Sequence, residues 1–326
     1  MEVHQYDLSG NYIASYPSYS EAARTHGVNE STIRKGTKYN ATVMGKFKFT
    51  LDNTSPLLKS VASTGEVSRF PKILIIDIET APLRSYTWGL WKQNVGLNQI
   101  ISNWFMISYA AKILGSDEIL SGVLTSKEAL AEDDSRIIQN LWNLLDKADI
   151  VIAHNGDRFD IPKINTRFVL HGLVPPSPYR QIDTLTVARL TFGFTSNRLD
   201  FLAKFLGYQG KEPTTFELWE ECMAGNPEAL FYMEFYNKKD VVILEDVYLR
   251  LRPYIKGHSN LDLYMDTEEP RCPHCGDQHV SLLQDKYFYT QAVRYAIYRC
   301  DNCGAVSRAK KGTPYINKRV ISAIPK

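Results

Sequence analysis

The segment KILIIDIET, residues 72 to 80, limits the possible folds of this chain more than any other. Ile73, Leu74, Ile75 and Ile76 make an unbroken run of branched apolar residues, the pattern of a strand buried on both faces, and the run ends in Asp77 and Glu79. Such a strand belongs inside a sheet covered by helices. Side chains at i and i+2 of a strand share a face, which sets the two carboxylates side by side, roughly 6 to 7 Å apart along the chain. Two unpaired carboxylates at that spacing repel each other, and a cation removes the conflict.

The middle of the chain continues in the same style. WFMISYAAKIL and EILSGVLT read as strands, SRIIQNLWNLLDKA as a helix, DIVIAHNG as a short apolar strand and IPKINTRFVLHG as a helix. A meander followed by alternating strands and helices predicts an α/β fold, a mixed sheet flanked by helices, with any site in the crevice beyond the strand ends. Residues 53–69 are rich in Ser, Thr, Pro and Gly and read as a linker. Pro253 and Gly257 mark a second boundary. The expected parts are 1–52, the linker 53–69, 70–255 and 256–326.

Further acidic residues stand in matching settings. HNGDRFD places Asp160 after a strand, where a helix begins, and YNKKD places Tyr236 and Asp240 four residues apart on one helical face. With Asp77 and Glu79 in DIET, this set resembles the three exonuclease motifs of the DEDD superfamily, tyrosine variant, on a ribonuclease H-like fold. The likeness extends through residues 182 to 207 and covers about 180 residues in the family's order. It implies that Asp77, Glu79, Asp160 and Asp240 hold two Mg²⁺ or Mn²⁺ ions, about 3.5 to 4 Å apart, for hydrolysis of a terminal phosphodiester. It further implies 3′ to 5′ polarity, release of nucleoside 5′-monophosphates, and a water-orienting role for Tyr236, whose pKa of ~10 disqualifies it as a strong base.

Within the second motif the family pattern selects Asn155 and Asp160 over Asp157, and Asn155 is expected to face nucleic acid. Asp183 is read as a turn brace and His154 as a hydrogen-bonding wall. Trp88 and Trp91 fit base stacking and core packing equally, whereas the apolar pattern around Trp104 favours the core.

RCPHCG and YRCDNCG supply Cys272, Cys275, Cys300 and Cys303 as two C-x-x-C knuckles 24 residues apart. With no secretory signal in view, this spacing predicts a structural zinc ribbon, with His274 and His279 as bystanders and Cys222 as a packed free thiol. Arg308, Lys310 and Lys311 lie in the most basic part of the chain, suited to phosphate. At the other end, residues 1–52 show a hairpin signal at Ser9, Gly10 and Asn11, then two short helices around Gly27. They resemble the nuclease-associated modular DNA-binding repeat of phage and homing endonucleases, with a helix-turn-helix-like core. Arg34 and Lys35 would sit on its recognition helix, and such appendages are expected to raise affinity by tethering.

Charge fits this division. Residues 1 to 60 carry 7 Lys/Arg against 5 Asp/Glu, residues 270 to 326 carry 10 against 3, and the remainder carries 21 against 28. No apolar run reaches the ~20 residues that span a bilayer, so a cytoplasmic protein that binds nucleic acid, DNA before RNA, is expected, in a bacterial host if the gene is from a phage. The rival readings are a ribonuclease or structure-selective endonuclease on the same scaffold, and a binding protein without catalysis. The intact carboxylate set argues against the last, since acids repel phosphate.

Overall fold

A computed structural model describes residues 2–7, 12–38, 43–44, 46–51, 70–265, 270–290 and 293–312. The linker expected at 53–69 and the hairpin tip at Ser9–Asn11 lie outside these residues. The chain forms two compact units, the first built from residues 1–66, 72–186 and 195–247, the second from 67–71, 187–194 and 248–326.

The first unit opens with an antiparallel pair, β1 (Val3–Asp7) and β2 (Tyr12–Tyr16), then α1 (Tyr19–His26), α2 (Glu30–Lys38) and β3 (Phe47–Thr50), in sheet order β2-β1-β3. Ser18 caps α1 by accepting the Glu21 amide, and Gly27 closes it at φ 65°, a left-handed conformation that costs glycine little. The main sheet follows. β4 (Ile73–Thr80) leads to a small hairpin of β5 (Arg84–Ser85) and β6 (Ile100–Ser102), then to β7 (Met106–Ile113) and β8 (Ile119–Val123). After α3 (Ser126–Ala131) and α4 (Ser135–Leu145) come β9 (Ile150–Ala153), α5 (Asp160–Leu170), β10 (Arg180–Asp183), α6 (Thr184–Thr191), α7 (Leu199–Phe205), α8 (Phe216–Met223) and the long α9 (Pro227–Leu251).

The five strands lie in the order β10-β9-β4-β7-β8, with β4, β9 and β10 parallel and β7 and β8 added as an antiparallel meander. This is the mixed α/β sheet that the apolar runs foretell. Leu74, Ile76 and Ile78 of β4 pack with Ile137 and Leu141 of α4 and Ile164 of α5, so these helices cover one face. The opposite face carries Ile73, Ile75, Asp77 and Glu79, and α9 is fastened across it. Glu245 of α9 accepts the Gly115 amide at 2.9 Å and pairs with Lys112, while Glu234 accepts the Ser121 hydroxyl at 2.6 Å.

The N-terminal module is not a free tether. Its core of Val3, Ala22, Ala23, Ile33, Val43 and Phe49 is completed by Phe231 of α9, the helix that also bears Tyr236 and Asp240. Lys35 of α2 lies 4.9 Å over the Phe235 ring and 5.4 Å over that of Tyr232. Phe231→Ala should therefore destabilise residues 3–50 by about 3 kcal/mol, read as faster amide exchange in α1 and α2. Unchanged protection would show that the module folds without α9.

In the second unit, β11 (Val280–Tyr289), β12 (Arg294–Cys300) and β13 (Val306–Arg308) form an antiparallel sheet beside the cysteine knuckles. His258 bonds Tyr248 Oη at 2.8 Å, and His274 bonds the Ile255 carbonyl at 3.2 Å, so both histidines brace the chain ahead of β11. Among the described residues no helix is long and apolar enough to cross a membrane.

Candidate active site

β9 pairs with β4 only along Ile73–Ile75, so β4 runs on past the end of β9. Asp77 and Glu79 lie on this overhang, opposite Ala110 and Ser108 of β7. Open α/β sheets place ligands in such a crevice. α9 brings Asp240 into it, and one carboxylate oxygen from each of Asp77, Glu79 and Asp240 lies within 4.8 Å of the others. Asp160 falls outside that trio. It is the buried first residue of α5, where burial and then the neighbouring Asp77 charge push its carboxyl well above the usual range, against the pull of the Asp160 and Ile78 amides.

The cluster crowds acids together, with Asp160 and Asp240 buried and Asp77 and Glu79 half-buried. Burial raises Asp77, and it raises Glu79 strongly, with Asp77 adding to the second effect. Asp240 is pushed up to about 7 by burial and then by Asp77. Among the described residues its Oδ1 is buried without a hydrogen-bond partner, an acceptor left to a ligand. Hard oxygen donors, surplus negative charge and an orphaned oxygen suit Mg²⁺ or Mn²⁺. Asn237, one residue beyond Tyr236, donates to Asp77 Oδ2 at 2.6 Å and accepts from Ser108 Oγ at 3.2 Å, which fixes the Asp77 carboxylate. The Tyr236 phenol is pushed up to about 12, first by burial, so its hydroxyl keeps its proton at neutral pH.

These shifts set a pH dependence. Carboxyls whose folded pKa is raised bind protons more tightly when folded, so the stability they confer is present at low pH and is lost as pH climbs through about 7 for Asp240. Without divalent ions the melting temperature should fall between pH 6 and pH 8, and Mn²⁺ should reverse that fall. A profile unaffected by Mn²⁺ would contradict the metal-binding role of the cluster.

Two neighbours of the cluster carry no signal in the sequence. Lys211, on the loop between α7 and α8, places Nζ 2.5 Å from Asp240 Oδ2 and 3.4 Å from Tyr236 Oη. Beside the cluster opens a cavity of about 450 Å³ lined by Thr80, Leu83, Trp104, Lys163, Phe216 and Trp219 among others. Trp219 meets the Tyr236 ring edge-on at 6.4 Å, and Lys163 Nζ lies 3.8 Å over the Trp104 ring. Trp104, expected in the core, is thus a half-buried cavity wall. It precedes β7 in a loop, so the alternation of the strand does not govern it.

Around the second motif, Asp183 accepts the amides of Asn155 at 2.9 Å, Asp157 at 3.3 Å and Leu185 at 2.9 Å, a brace for the loop after β9. Asn155 adopts φ 72° there. His154 bonds Thr184 Oγ1 and the Asn197 carbonyl, so both ring nitrogens are engaged.

Among the expected nucleic-acid contacts, Trp88 and Trp91 are 96% and 84% exposed, which removes core packing as their role. Arg34 is exposed, paired with Glu30 at 2.7 Å and stacked over Tyr19, whereas Lys35 faces α9. Lys310 and Lys311 are exposed, and Arg308 lies over the Phe288 and Tyr295 rings. The four knuckle cysteines converge, with Sγ separations of 3.7 Å for Cys272–Cys303 and 3.5 Å for Cys275–Cys300. Those distances are too long for disulfides of ~2.05 Å and match the edges of a tetrahedron with Zn–S near ~2.3 Å. Burial pushes the Cys303 thiol up to about 11, a conflict that a cation relieves. Cys222 is a buried free thiol.

A mixed sheet with this strand order, carrying acids at the overhang of its central strand, defines a ribonuclease H-like α/β protein. The chain belongs to the RNase_H superfamily, a nuclease superfamily whose model matches residues 74–252. The NUMOD1 domain model matches residues 1–35, and both parts point to nucleic acid as the partner. Among solved structures, the chain is similar to the family B DNA polymerase of the hyperthermophilic archaeon Pyrobaculum calidifontis, with 12% identity and a TM-score of 0.39 over 56% of this chain. It spans about a quarter of that polymerase, covering 25% of its chain. A search of curated protein sequences finds no match.

Proposed function

We propose that the protein is a two-metal-ion 3′ to 5′ exonuclease of the DEDD tyrosine type that removes nucleoside 5′-monophosphates from single-stranded DNA ends. The observation that carries this reading is the approach of Asp77, Glu79 and Asp240 to within 4.8 Å, with Asp160 beside Asp77 and Tyr236 one helical turn from Asp240. These four acids would hold Mg²⁺ or Mn²⁺, which supply the charge that activates water and steadies the leaving oxygen. Asn237 keeps Asp77 in place for that task, and the protonated Tyr236 hydroxyl orients the attacking water.

The cavity supports cleavage at an end. Its aromatic walls, Trp104, Phe216 and Trp219, suit one terminal base, with stacking worth ~1 to 3 kcal/mol. Trp88 and Trp91 offer further stacking surface, and Arg34, Arg308, Lys310 and Lys311 offer charge for the backbone. The four cysteines would hold one structural Zn²⁺, and thiols kept reduced in this way suit a cytoplasmic protein.

The reading is tested by product ladders from 3′- and 5′-labelled DNA and RNA oligonucleotides, with Mg²⁺ and with chelator. Stepwise shortening from the 3′ end, abolished by chelator, is expected. Cutting of a closed single-stranded circle would replace the exonuclease by an endonuclease, and preference for RNA would replace the substrate.

A further inference from the structure

Lys211 enters the carboxylate cluster from a loop held in place at several points. Gly207 ends α7 at φ 86°, the Lys211 amide donates to Asp200 Oδ1 at 2.8 Å, and Asp200 also pairs with Lys204 at 2.8 Å. Glu212 pairs with Lys239 of α9. A Cβ at Gly210 would lie 2.2 Å from Lys204 Cε and 2.4 Å from Asp200 Oδ1, so a side chain there would have to displace the ends of these two α7 side chains. Held in this way, the loop delivers the Lys211 ammonium to Asp240 Oδ2 at 2.5 Å. Asp240 is one of the three residues whose oxygens approach within 4.8 Å, so the ammonium is already paired with one member of that cluster.

We propose that Lys211 is a built-in placeholder cation that fills the carboxylate cluster in the metal-free protein and competes with the incoming divalent ion for Asp240. The proposal rests on the metal-binding reading above and adds a cost to loading. A +2 ion entering the cluster must displace or crowd a +1 group already paired there, so affinity for the ion is set partly by how readily Lys211 leaves. The same loop continues into Thr214, Thr215 and Phe216, which wall the cavity. Withdrawal of Lys211 by a metal ion is thereby tied to the wall that faces the terminal base, and by linkage a base in the cavity favours metal loading.

The test is Mn²⁺ binding without nucleic acid, measured by calorimetry on the full chain with the cysteine site filled by zinc. Lys211→Gln removes the charge, while Lys211→Arg keeps it. The glutamine variant should bind Mn²⁺ on the order of tenfold more tightly than wild type, with the arginine variant near wild type. Removal of the placeholder leaves the acids unbalanced, so the glutamine variant should also melt at lower temperature without metal and gain more from Mn²⁺ than wild type does. That thermal shift reads the same competition if the metal-free variant is only partly folded. Equal Mn²⁺ affinity and equal thermal gain in wild type and Lys211→Gln would overturn the placeholder role while leaving the metal site standing. Binding by neither protein would overturn both.

Discussion

Asp77→Ala is expected to slow phosphodiester hydrolysis on the order of a thousandfold, about 4 kcal/mol at ~1.4 kcal/mol per decade, while the fold survives. Asp77 is the acid on which the others converge. It contributes to the trio, its charge raises Glu79, Asp160 and Asp240, and Asn237 is oriented by donating to it. Its removal takes a ligand oxygen from the site and leaves the Asn237 amide without that acceptor. It also relieves repulsion among the remaining acids, so the metal-free variant should melt no lower than wild type. A rate loss with a preserved melting temperature separates catalysis from folding. Wild-type activity in a folded Asp77→Ala protein would refute the assignment.

Cys272→Ser is the second large effect, and it falls on the other unit. Among the described residues, the apolar cluster around β11 to β13 consists of Cys272, Cys300 and Ala305, with Cys275, Val280 and Cys303 packed against it. Most side chains of β11 are exposed. A core that small cannot hold three strands, whereas structural zinc contributes roughly 10 to 16 kcal/mol in comparable sites. Loss of one thiolate should therefore abolish zinc retention and leave residues 270–312 open to proteolysis. The five-stranded sheet, which has its own core, should keep its protection and its activity on short oligonucleotides. A protease-resistant ribbon in the zinc-free variant would show that the cysteines are not what holds it.

The features legible in the sequence are those set by a local period. Asp77 and Glu79 share a face because strands repeat every two residues, Tyr236 and Asp240 because helices nearly repeat every four, and the knuckle cysteines because C-x-x-C closes a turn. Lys211 and Asn237 reach the cluster through tertiary placement. Nothing in GYQGKEP distinguishes a lysine aimed at an acid from one in solvent, and Asn237 differs from its neighbours only by the side of α9 it occupies. Phe231 belongs to a core assembled from residues more than 180 positions away, so no window of sequence links it to Val3 or Phe49. The exposure of Trp88 and Trp91 and the open setting of Trp104 depend equally on where their loops run.

The central claim, that acids distant in the chain grip a pair of ions in one crevice, is tested most directly by anomalous diffraction from crystals soaked in Mn²⁺. Two peaks about 3.5 to 4 Å apart are expected, one amid Asp77, Glu79 and Asp240 and the other reached by Asp160. Mn²⁺ bound elsewhere, with these four carboxylates bare, would contradict it.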